Sequence, residues 1–377
     1  MTSSPVRIVI AGGGTGGHVQ PAIAVADTMR EIADVSLAWI GSRSGIEAEI
    51  ARERGIDFHS IPAGKLRRYL SLHTIIDSVR VPAGIVKARV LLRRIKPDVI
   101  FSTGGYVSVP TVLAGWLAGI PIITHEQTAT IGLANRINAR FADRIALAYE
   151  ATANLLPDDG RVVVTGNPVR AELRSGNADN ARQAFDLDPT VPVVYVTGGS
   201  LGAHAINNTV RTLICGLVET ANVVHQCGPV AMNGDYPRLQ AARSELPASL
   251  QARYVVQEQI GPELADVYAA ADLVVGRSGG GTVAELALLQ KPAILIPLPG
   301  TSSDEQTRNA RVLEDAGGAV VIEQSRLTPE RLLSAIQELL ADQNRRETMS
   351  EAAGSVAQPD AAELLSREIL GLASARR

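Results

Sequence analysis

Cysteine and aromatic residues are scarce in this chain of 377 residues, which contains two cysteines and 3% Phe, Trp and Tyr. Cys215 and Cys227 have no metal-ligand spacing around them, so we expect a reduced, cytosolic protein without a disulfide framework. The first residues lack a basic segment followed by an apolar run and a cleavage site, so no signal peptide is predicted. A content of 46% hydrophobic and 20% charged residues is typical of a soluble globular protein, and the length allows two domains.

Charge is absent from residues 101–124, a run long enough to span a bilayer. Pro110 and Pro121 interrupt this run, together with four glycines. We therefore interpret it as a loop, a helix over residues 110–118 and a strand over residues 120–124, and not as a membrane span.

Short apolar runs alternate with helical patterns, which is typical of parallel α/β architecture. The runs end in small, polar or charged residues, as in RIVIAGG, DVIFSTGG and IPIITHE. The pattern starts again at VVYVTGGSLGAHAIN, where Gly198 and Gly199 follow a strand 186 residues after Gly12 and Gly13. We predict an α/β fold with two Rossmann-like parallel-sheet domains that face an interdomain cleft.

The domain boundary should lie near residues 162–170, where Pro168 restricts the backbone after a strand. We predict an N-terminal domain over residues 1–167 and a C-terminal domain over residues 168–346. Residues 347–377 are predicted to form polar helix that packs back on the first domain.

Three glycine-rich loops, at residues 12–17, 198–202 and 279–281, each follow a predicted strand and precede a helix. Such loops let backbone N–H groups approach a phosphate, which the helix N-terminus also favours. The second strand does not end in an acidic residue and the Walker pattern is absent, which disfavours a dehydrogenase and a P-loop NTPase. From the residues alone, ligand contact and close strand–helix packing remain alternative reasons for these glycines.

Eight segments resemble, in order and over essentially the whole chain, the signature segments of the MurG family of glycosyltransferases. They are GGTGGHVQPAIAVA, GKLRRYLS, STGGYVSVP, HEQTATIGLANR, GNPVR, GGSLGAHAIN, GRSGGGTVAE and DEQTRNA. The resemblance implies a GT-B fold and an inverting transfer of N-acetylglucosamine from UDP-GlcNAc to lipid I, which gives lipid II. It also implies a peripheral enzyme at the cytoplasmic face of the plasma membrane.

On the acceptor side, the resemblance implies that His18 is a base or positions the acceptor hydroxyl, with Glu126 as a second catalytic candidate. A lone histidine at a helix start could equally be a cap, and Glu126 could simply pair with a neighbour. The residues expected at the acceptor pyrophosphate are Gly13, Gly14, Gly104, Gly105 and Tyr106.

On the donor side, the resemblance implies that Ser200 meets the α-phosphate, the Ile260 backbone reads uracil, and Glu285 accepts the ribose hydroxyls. From the residues alone, Glu285 could also belong to a cap with Thr282. The full set expected to bind UDP-GlcNAc is Thr15, Gly16, Gly17, Thr128, Arg170, Ser200, Ile260, Gly281, Thr282, Glu285, Gln306 and Asn309.

Two departures from the family pattern concern the sugar. Thr128 stands where the family usually has asparagine, so the sugar contact of an amide is lost there. Glu305 precedes Gln306 where the family usually has two glutamines.

No cofactor is expected, because no Asp-x-Asp pair or His/Asp cluster predicts a tightly bound metal. Backbone N–H groups, helix N-termini and Arg170 would then offset the charge of the leaving group. The remaining histidines show no cluster in the sequence and are interpreted as structural or surface residues: His59, His73, His204 and His225.

Basic residues are concentrated in one stretch of the first half. Residues 1–170 contain 19 Lys and Arg against 14 Asp and Glu, whereas residues 171–377 contain 17 against 25. Between residues 65 and 96, nine basic residues and one acid are interleaved with apolar residues. This pattern predicts either a solvated helix face or a surface for anionic membrane; nucleic acid is disfavoured by the few aromatics and the net charge of −3. The candidate membrane residues are Lys65, Arg67, Arg68, Arg80, Lys87 and Arg89.

Two other functions remain open at this level. One is a related GT-B transferase that acts on another lipid, such as diacylglycerol, and the other is a non-catalytic sugar-nucleotide-binding protein. The glycine loop at residues 12–18 favours an enzyme, because donor binding alone would not need it.

Overall fold

The computed structural model describes residues 4–43, 45–64 and 72–375, with the side chains of residues 72–79 and 302 left aside. The chain divides into two compact units, Met1–Arg170 with Gln358–Arg377 and Ala171–Ala357. The first join lies three residues later than the boundary predicted after residue 167, and the second lies eleven residues later than the boundary predicted after residue 346.

The first unit opens with a strand that leads into a helix, and this order is repeated. Its strands are β1 (Val6–Gly12), β2 (Val35–Gly41), β3 (Asp57–Ser60), β4 (Val99–Gly104), β5 (Ile122–Glu126), β6 (Arg144–Leu147) and β7 (Val162–Val164). Its first helices are α1 (Gly16–Ile32), α2 (Glu47–Glu53), α3 (Leu72–Ile95), α4 (Ser108–Trp116) and α5 (Leu133–Asn138), with a 3-10 turn at Glu150–Leu155.

The seven strands of this unit form one parallel sheet in the order β3-β2-β1-β4-β5-β6-β7. Such a sheet is covered on both faces, so its strands are continuous apolar runs and do not alternate. Ile8–Ala11 of β1 are fully buried, for example. The strand order reverses between β1 and β4, and ligands of open α/β sheets bind beside such a reversal, at the carboxyl ends of the strands.

The second unit repeats the same architecture. Its strands are β8 (Val193–Thr197), β9 (Asn222–Gln226), β10 (Tyr254–Gln257), β11 (Leu273–Gly276), β12 (Ala293–Leu295) and β13 (Ala319–Val321). Its helices are α6 (Ala178–Ala184), α7 (His204–Val218), α8 (Val230–Asn233), α9 (Tyr236–Ser244), α10 (Leu264–Ala270), α11 (Gly280–Leu288), α12 (Glu305–Ala316), α13 (Pro329–Ala341) and α14 (Gln343–Ser355). Short 3-10 turns lie at Ala171–Ser175, Gln251–Arg253, Ser302–Asp304 and Gln324–Arg326.

Its parallel sheet has the order β10-β9-β8-β11-β12-β13, so here the reversal lies between β8 and β11. The longer helices α7 and α13 cover the sheet with an apolar stripe each. In α13, for example, Leu332, Ile336 and Leu339 recur at helical spacing and are buried in the core of this unit. Thr328 caps that helix by accepting a hydrogen bond from the Arg331 N–H, and Pro329 occupies its first turn.

The last helix, α15 (Ala361–Ser374), returns to the first unit. Leu365, Ile369 and Ala373 of α15 are buried in the core that α1 and β1 also form. The segment predicted to pack back began at residue 347, but α14 belongs to the second unit and only the chain from Gln358 returns.

The uncharged run at residues 101–124 contains the end of β4, helix α4 and most of β5, so helix and strand each lie about two residues from the bounds predicted for them. Across the part of the chain that the structure describes, no helix combines the length and the apolar character needed to cross a membrane. Two α/β units with parallel sheets confirm the predicted fold class.

Candidate active-site loops of the two units

The first glycine loop turns the chain from β1 into α1. Gly13 and Gly14 have φ angles of +148° and +91°, which side-chain-bearing residues rarely adopt. A Cβ on Gly13 would lie 2.3 Å from the carboxyl carbon of Glu47. The Gly14 N–H donates a hydrogen bond of 3.0 Å to Glu47 Oε2, so this N–H already has a partner within the protein.

Glu47, the first residue of α2, is fully buried beneath this loop. Besides the Gly14 N–H, its carboxylate accepts hydrogen bonds from the Ser42 N–H (2.8 Å) and the Ser42 hydroxyl (2.7 Å). All three partners are donors, so the position requires a side chain whose two oxygens both accept. Sequence reasoning missed Glu47; the glycines at 41 and 45, where a Cβ would also strike the Glu47 side chain, are the only signal of it.

A second glycine pair follows β4 and packs against the first loop. Gly104 and Gly105 have φ angles of +91° and +79°. A Cβ on Gly105 would lie 2.4 Å from the carbonyl oxygen of Gly13, and the Tyr106 ring lies 3.2 Å from the Cβ position of Gly14. The five residues predicted at the acceptor pyrophosphate are therefore neighbours in the first unit.

His18 lies in the first turn of α1, beside this cluster, and is half-buried. Its Nδ1 is 2.8 Å from the carbonyl oxygen of Thr103 and 3.1 Å from Oε1 of Gln127. A backbone carbonyl only accepts hydrogen bonds, so Nδ1 carries the proton and Nε2 of the neutral ring holds a lone pair.

Glu126 is buried at the end of β5, and four hydrogen bonds satisfy its carboxylate. Oε1 accepts from the backbone N–H (3.2 Å) and the hydroxyl (2.8 Å) of Thr128. Oε2 accepts from the Gly132 N–H (2.9 Å) and Asn135 Nδ2 (3.0 Å). These bonds favour a role in holding the loop after β5. The side chain of Thr128, predicted near the donor sugar, is engaged in the same network.

His125 is the buried neighbour of this network. Its Nε2–H donates to the carbonyl oxygen of Gly166 over 2.9 Å. Burial lowers the pKa of His125 to about 4, and the nearby His18 adds to the lowering against the effect of the Gly166 bond. His125 is therefore neutral at physiological pH.

In the second unit, the glycine loop after β8 leads into α7. A Cβ on Gly202 would lie 2.0 Å from the carbonyl oxygen of Cys227, whereas nothing lies within 4 Å of the Cβ position of Gly199. Ser200, predicted at the α-phosphate, is exposed in this loop. The loop is thus fixed on one side and open on the other.

Gln226, at the end of β9, links this loop to the segment after β10. Its Nε2 is 3.2 Å from the carbonyl oxygen of Gly199, and its Oε1 accepts the Ile260 N–H over 3.0 Å. The N–H predicted to read uracil therefore has a partner here. Sequence reasoning missed Gln226. The predicted strand put this residue at its carboxyl end, but nothing in the sequence indicated which residues it contacts.

The N-terminus of α11 offers open backbone. Nothing lies within 4 Å of the Cβ positions of Gly279 and Gly281, and the first turn contains no acidic residue. Thr282 and Glu285 follow in the same helix, both half-buried. Oε2 of Glu285 accepts a hydrogen bond of 2.8 Å from the Tyr268 hydroxyl, which orients the carboxylate.

The residues predicted around the sugar tie α12 to the loop before α11. The Ser278 hydroxyl donates to the carbonyl oxygen of Gln306 (2.7 Å), and Oε1 of Gln306 accepts the Leu298 N–H (3.0 Å). Asn309 is fully buried and donates from Nδ2 to the carbonyl oxygen of Ser278 over 3.1 Å. Both predicted residues thus shape this loop from within the second unit.

Two arginines stand out by their surroundings. Arg170, the last residue of the first unit before the join, has a buried Nε without a hydrogen-bond partner among the described residues. Arg277, after β11, is buried and donates to the carbonyl oxygen of Ile296 and to Oε1 of Gln324. Burial lowers the pKa of Arg277 to about 10, and no acidic side chain of the described ranges forms an ion pair with it. Sequence reasoning missed this buried cation.

His204 and His225, which were interpreted as structural or surface residues, belong to one hydrogen-bonded chain in the second unit. His204 Nδ1 lies 2.7 Å from Asp235, whose other oxygen accepts from Asn207 over 2.8 Å. Oδ1 of Asn207 lies 3.0 Å from His225 Nε2, and His225 Nδ1 lies 2.8 Å from the Tyr254 hydroxyl. The partners come from different elements, so the sequence contains no spacing that could predict the chain. Within the described ranges, no group of three or more His, Cys, Asp or Glu side chains could hold a metal ion.

The candidate membrane residues are only partly described. Lys65, Arg67 and Arg68 lie outside the described residues, Arg80 and Lys87 are exposed, and Arg89 is half-buried. Two valines one turn apart on the outer face of α3, Val86 and Val90, are 66% and 61% exposed. Trp116 and Leu117, at the end of the neighbouring α4, are each 52% exposed.

Comparison with known families covers most of the chain. The model of the glycosyltransferase family 28 N-terminal domain matches residues 8–147, and that of the C-terminal domain of the same family matches residues 193–365. The UDP-N-acetylglucosamine–N-acetylmuramyl-(pentapeptide) pyrophosphoryl-undecaprenol N-acetylglucosamine transferase of Salinibacter ruber is 39% identical over 100% of both chains. The enzyme of the same name from Treponema denticola is 37% identical over 93% of both.

Solved structures agree with these matches. Acinetobacter baumannii MurG has a TM-score of 0.74 and 29% identity, over 97% of this chain and 100% of that one. The UDP-GlcNAc 2-epimerase from Neisseria meningitidis, bound to UDP-GlcNAc, has a TM-score of 0.68 at 14% identity over 97% and 100% of the two chains, which shows the fold alone. The predicted resemblance and the GT-B fold class are confirmed.

Proposed function

The chain belongs to glycosyltransferase family 28, and we propose that it transfers N-acetylglucosamine from UDP-GlcNAc to lipid I, giving lipid II for peptidoglycan synthesis. The observation that carries this proposal is the identity of 37–39% to transferases of that name along nearly their entire length. Both units have the glycine loops at their sheet reversals that such a donor and a pyrophosphate-linked acceptor require.

The second unit binds the donor. The open N-terminus of α11, at Gly281 and Thr282, suits the diphosphate because the space beside Gly281 lets an anion approach the backbone and the helix dipole favours negative charge. The buried cation of Arg277 adds positive potential next to it. Glu285, held by Tyr268, accepts the ribose hydroxyls with its remaining capacity, and Ser200 contacts the α-phosphate.

Ile260 is proposed to read uracil through its backbone. Because its N–H is bonded to Gln226 without ligand, the base must displace that bond or use the carbonyl oxygen.

The first unit binds the acceptor. The Gly14 N–H is taken by Glu47. The acceptor pyrophosphate is therefore assigned to the backbone after it, at Thr15 and at Gly16 and Gly17 in the first turn of α1, and these three residues are moved from the donor set predicted for them. Gly13, Gly104 and Gly105 then shape this site through their close packing.

Catalysis uses His18 as the base. The 4-hydroxyl of the muramoyl sugar attacks the anomeric carbon of the donor with inversion and passes its proton to Nε2 of His18. The bond between the anomeric carbon and the phosphate oxygen breaks, and its electron pair leaves with UDP. Backbone N–H groups and Arg170 offset the charge that develops on the leaving group. Glu126, whose oxygens already accept four hydrogen bonds, positions the loop after β5.

The acceptor's polyprenyl tail requires access to a membrane, and the outer face of α3 suits anionic lipid at the cytoplasmic surface. Val86 and Val90 supply exposed apolar area, and Lys87, Arg93 and Arg94 are exposed bases on the same helix.

The test is incubation of the protein with UDP-GlcNAc and a short-chain lipid I analogue, with mass spectrometry of the lipid fraction for the disaccharide product. Diacylglycerol as an alternative acceptor separates the related lipid transferases from the proposed activity. His18→Ala should lower kcat by about 10² to 10⁴-fold with little change in UDP affinity. No disaccharide from a folded protein that binds UDP would overturn the proposed acceptor, and product from diacylglycerol alone would replace it.

A further inference from the structure

Gln127 lies directly after β5 in the first unit, and its buried amide contacts His18. Gln127 is 2% exposed. Its Nε2 is 2.8 Å from the carbonyl oxygen of Thr103 and 2.9 Å from that of His125. Its Oε1 is 3.1 Å from Nδ1 of His18. Every polar atom of this amide therefore faces a protein partner.

The orientation of the amide follows from these neighbours. Turning it by half a rotation would set Oε1 against two carbonyl oxygens, which cannot donate. With Nε2 facing them, Oε1 must face His18. The carbonyl of Thr103 lies close to both side chains, so His18 and Gln127 share this acceptor.

We propose that Gln127 is a positioning residue, which holds the His18 ring in one orientation with its proton on Nδ1 and its lone pair on Nε2. Thr103 and Gln127 offer Nδ1–H two acceptors at once, so tilting the ring toward one lengthens the bond to the other. This inference rests on the proposed function, in which Nε2 of His18 takes the proton of the acceptor hydroxyl.

The proton-accepting nitrogen of a base must be held within a fraction of an ångström of the reacting hydroxyl. Gln127 supplies that constraint from a rigid element, because its backbone continues the buried strand β5. Among the described residues, the titratable side chains near His18 include His125, whose Nδ1 lies 3.2 Å from Gln127 Nε2 and whose pKa His18 helps to lower. Others are Glu126 on β5, Glu47 on α2 and Tyr106 after β4, and α15, which packs along α1, adds Glu363, Arg367 and Glu368. Gln127 itself is uncharged, so it orients the ring without changing its charge.

Three variants test the proposal by kinetics. Gln127→Met keeps the volume and removes the acceptor and both donors, so kcat should fall about 10- to 100-fold with KM for UDP-GlcNAc nearly unchanged. Gln127→Glu restores an acceptor with a negative charge beside Nδ1–H but sets its second oxygen against the carbonyl oxygens of Thr103 and His125, so kcat should recover only in part. The acidic limb of its pH–rate profile should move to higher pH, because that charge favours the protonated ring. Gln240→Met, a matched change at an amide that bonds Tyr236 in the second unit, should leave the kinetics unchanged.

A direct measurement does not depend on turnover. Long-range proton–nitrogen NMR of protein labelled with ¹⁵N-histidine distinguishes the protonated from the unprotonated ring nitrogen, and the spectrum of His18→Ala assigns the signals of His18. We expect a protonated Nδ1 and an unprotonated Nε2 in the wild-type protein when the ring is neutral. In Gln127→Met, these signals should broaden or average.

The outcomes are separable. A proton on Nε2 in the wild type, or a Gln127→Met enzyme with wild-type kcat, overturns the proposal. A loss of kcat in both variants with an unmoved acidic limb assigns Gln127 a structural role only and also overturns it. If Gln127→Met does not fold, the wild-type spectrum and Gln127→Glu decide. Absence of product from the wild-type enzyme would contradict the proposed function. In that case, the NMR spectrum alone would decide whether Gln127 holds the proton of His18 on Nδ1.

Discussion

The glycine loops of the two units look alike in sequence but differ in their surroundings. In the first unit, a Cβ on Gly13, Gly104 or Gly105 would meet another part of the protein at less than 3 Å. In the second unit, nothing lies within 4 Å of the Cβ positions of Gly199 and Gly281. Gly198 and Gly202 of the second unit are packed as closely as the glycines of the first, so the open space for a ligand lies at Gly199 and Gly281.

From the sequence alone, a glycine loop could serve either ligand contact or close packing of strand and helix. The surroundings of each glycine distinguish these two reasons. Around β1 and β4, the backbone is compressed onto a buried carboxylate and a neighbouring loop, so the glycines are needed for folding. At the start of α11, the free Cβ positions of Gly279 and Gly281 leave room for a ligand beside a helix N-terminus, where an anion is favoured. Alanine at Gly13 and alanine at Gly281 should therefore have opposite consequences.

The largest effect is expected for Gly13→Ala. The new methyl group would clash with Glu47 at a backbone conformation that alanine avoids, so the free energy of unfolding should fall by about 4 kcal/mol. Chemical denaturation followed by circular dichroism measures it. The control is Gly55→Ala, where φ is +62° but nothing lies within 4 Å, so only about 1 kcal/mol of strain is expected. Equal losses in the two variants would refute the role assigned to Glu47.

Gly281→Ala should do the reverse. Alanine in a helix is favoured over glycine by about 1 kcal/mol, and the position is open, so stability should be kept or raised. The added methyl group would stand where the diphosphate approaches, and UDP should bind about 10-fold more weakly in calorimetric titration. Glu285→Ala, which removes an acceptor without touching this space, should weaken UDP by about 1–3 kcal/mol. Unchanged UDP affinity in Gly281→Ala would remove the diphosphate from this helix end.

How far these contrasts could be predicted from the sequence depends on the distance between partners. Strands and glycine loops were predictable, since buried parallel strands are continuous apolar runs that end in small residues. Glu47 was not, because it reaches Gly14 only once β2 lies beside β1. Gln127 meets His18 for a similar reason, since the pairing of β4 with β5 brings Thr103 and His125 together. When the order of strands in the sheet brings two residues together, they lie far apart in the sequence, and no local sequence pattern predicts their contact.

Among the side chains that the structure describes, each unit has a fully buried histidine, His125 in the first and His225 in the second, and acid should act on both. Burial lowers the pKa of His125 to about 4 in the first unit and that of His225 to about 3 in the second. The unfolded chain takes up these protons from about pH 6.5 downward, so the folded state loses stability as pH falls from there through the folded pKa values. The loss is about 1.4 kcal/mol per pH unit for each histidine.

Calorimetric unfolding between about pH 7 and pH 4 measures this slope. His225→Gln should flatten the part that belongs to the second unit, and His125→Gln the part that belongs to the first. If neither variant changes the slope, carboxylates and not buried histidines set the acid sensitivity of the protein.

The smallest effect per substitution is expected at the outer face of α3. This helix belongs to the half of the chain that has an excess of positive charge. The first half of the chain has an excess of Lys and Arg and the second an excess of Asp and Glu, so only the first should be drawn to anionic lipid. Each exposed base there contributes about 1 kcal/mol, screened by salt. The triple variant Lys87→Glu, Arg93→Glu, Arg94→Glu should thus lose binding to phosphatidylserine vesicles in cosedimentation while UDP affinity is kept. Arg331→Glu, on an exposed position of α13 in the second unit, is the control.

Because the attraction is electrostatic, raising the salt concentration should weaken wild-type binding toward that of the triple variant. Equal binding of wild type and triple variant at every salt concentration would mean that α3 presents only a solvated face.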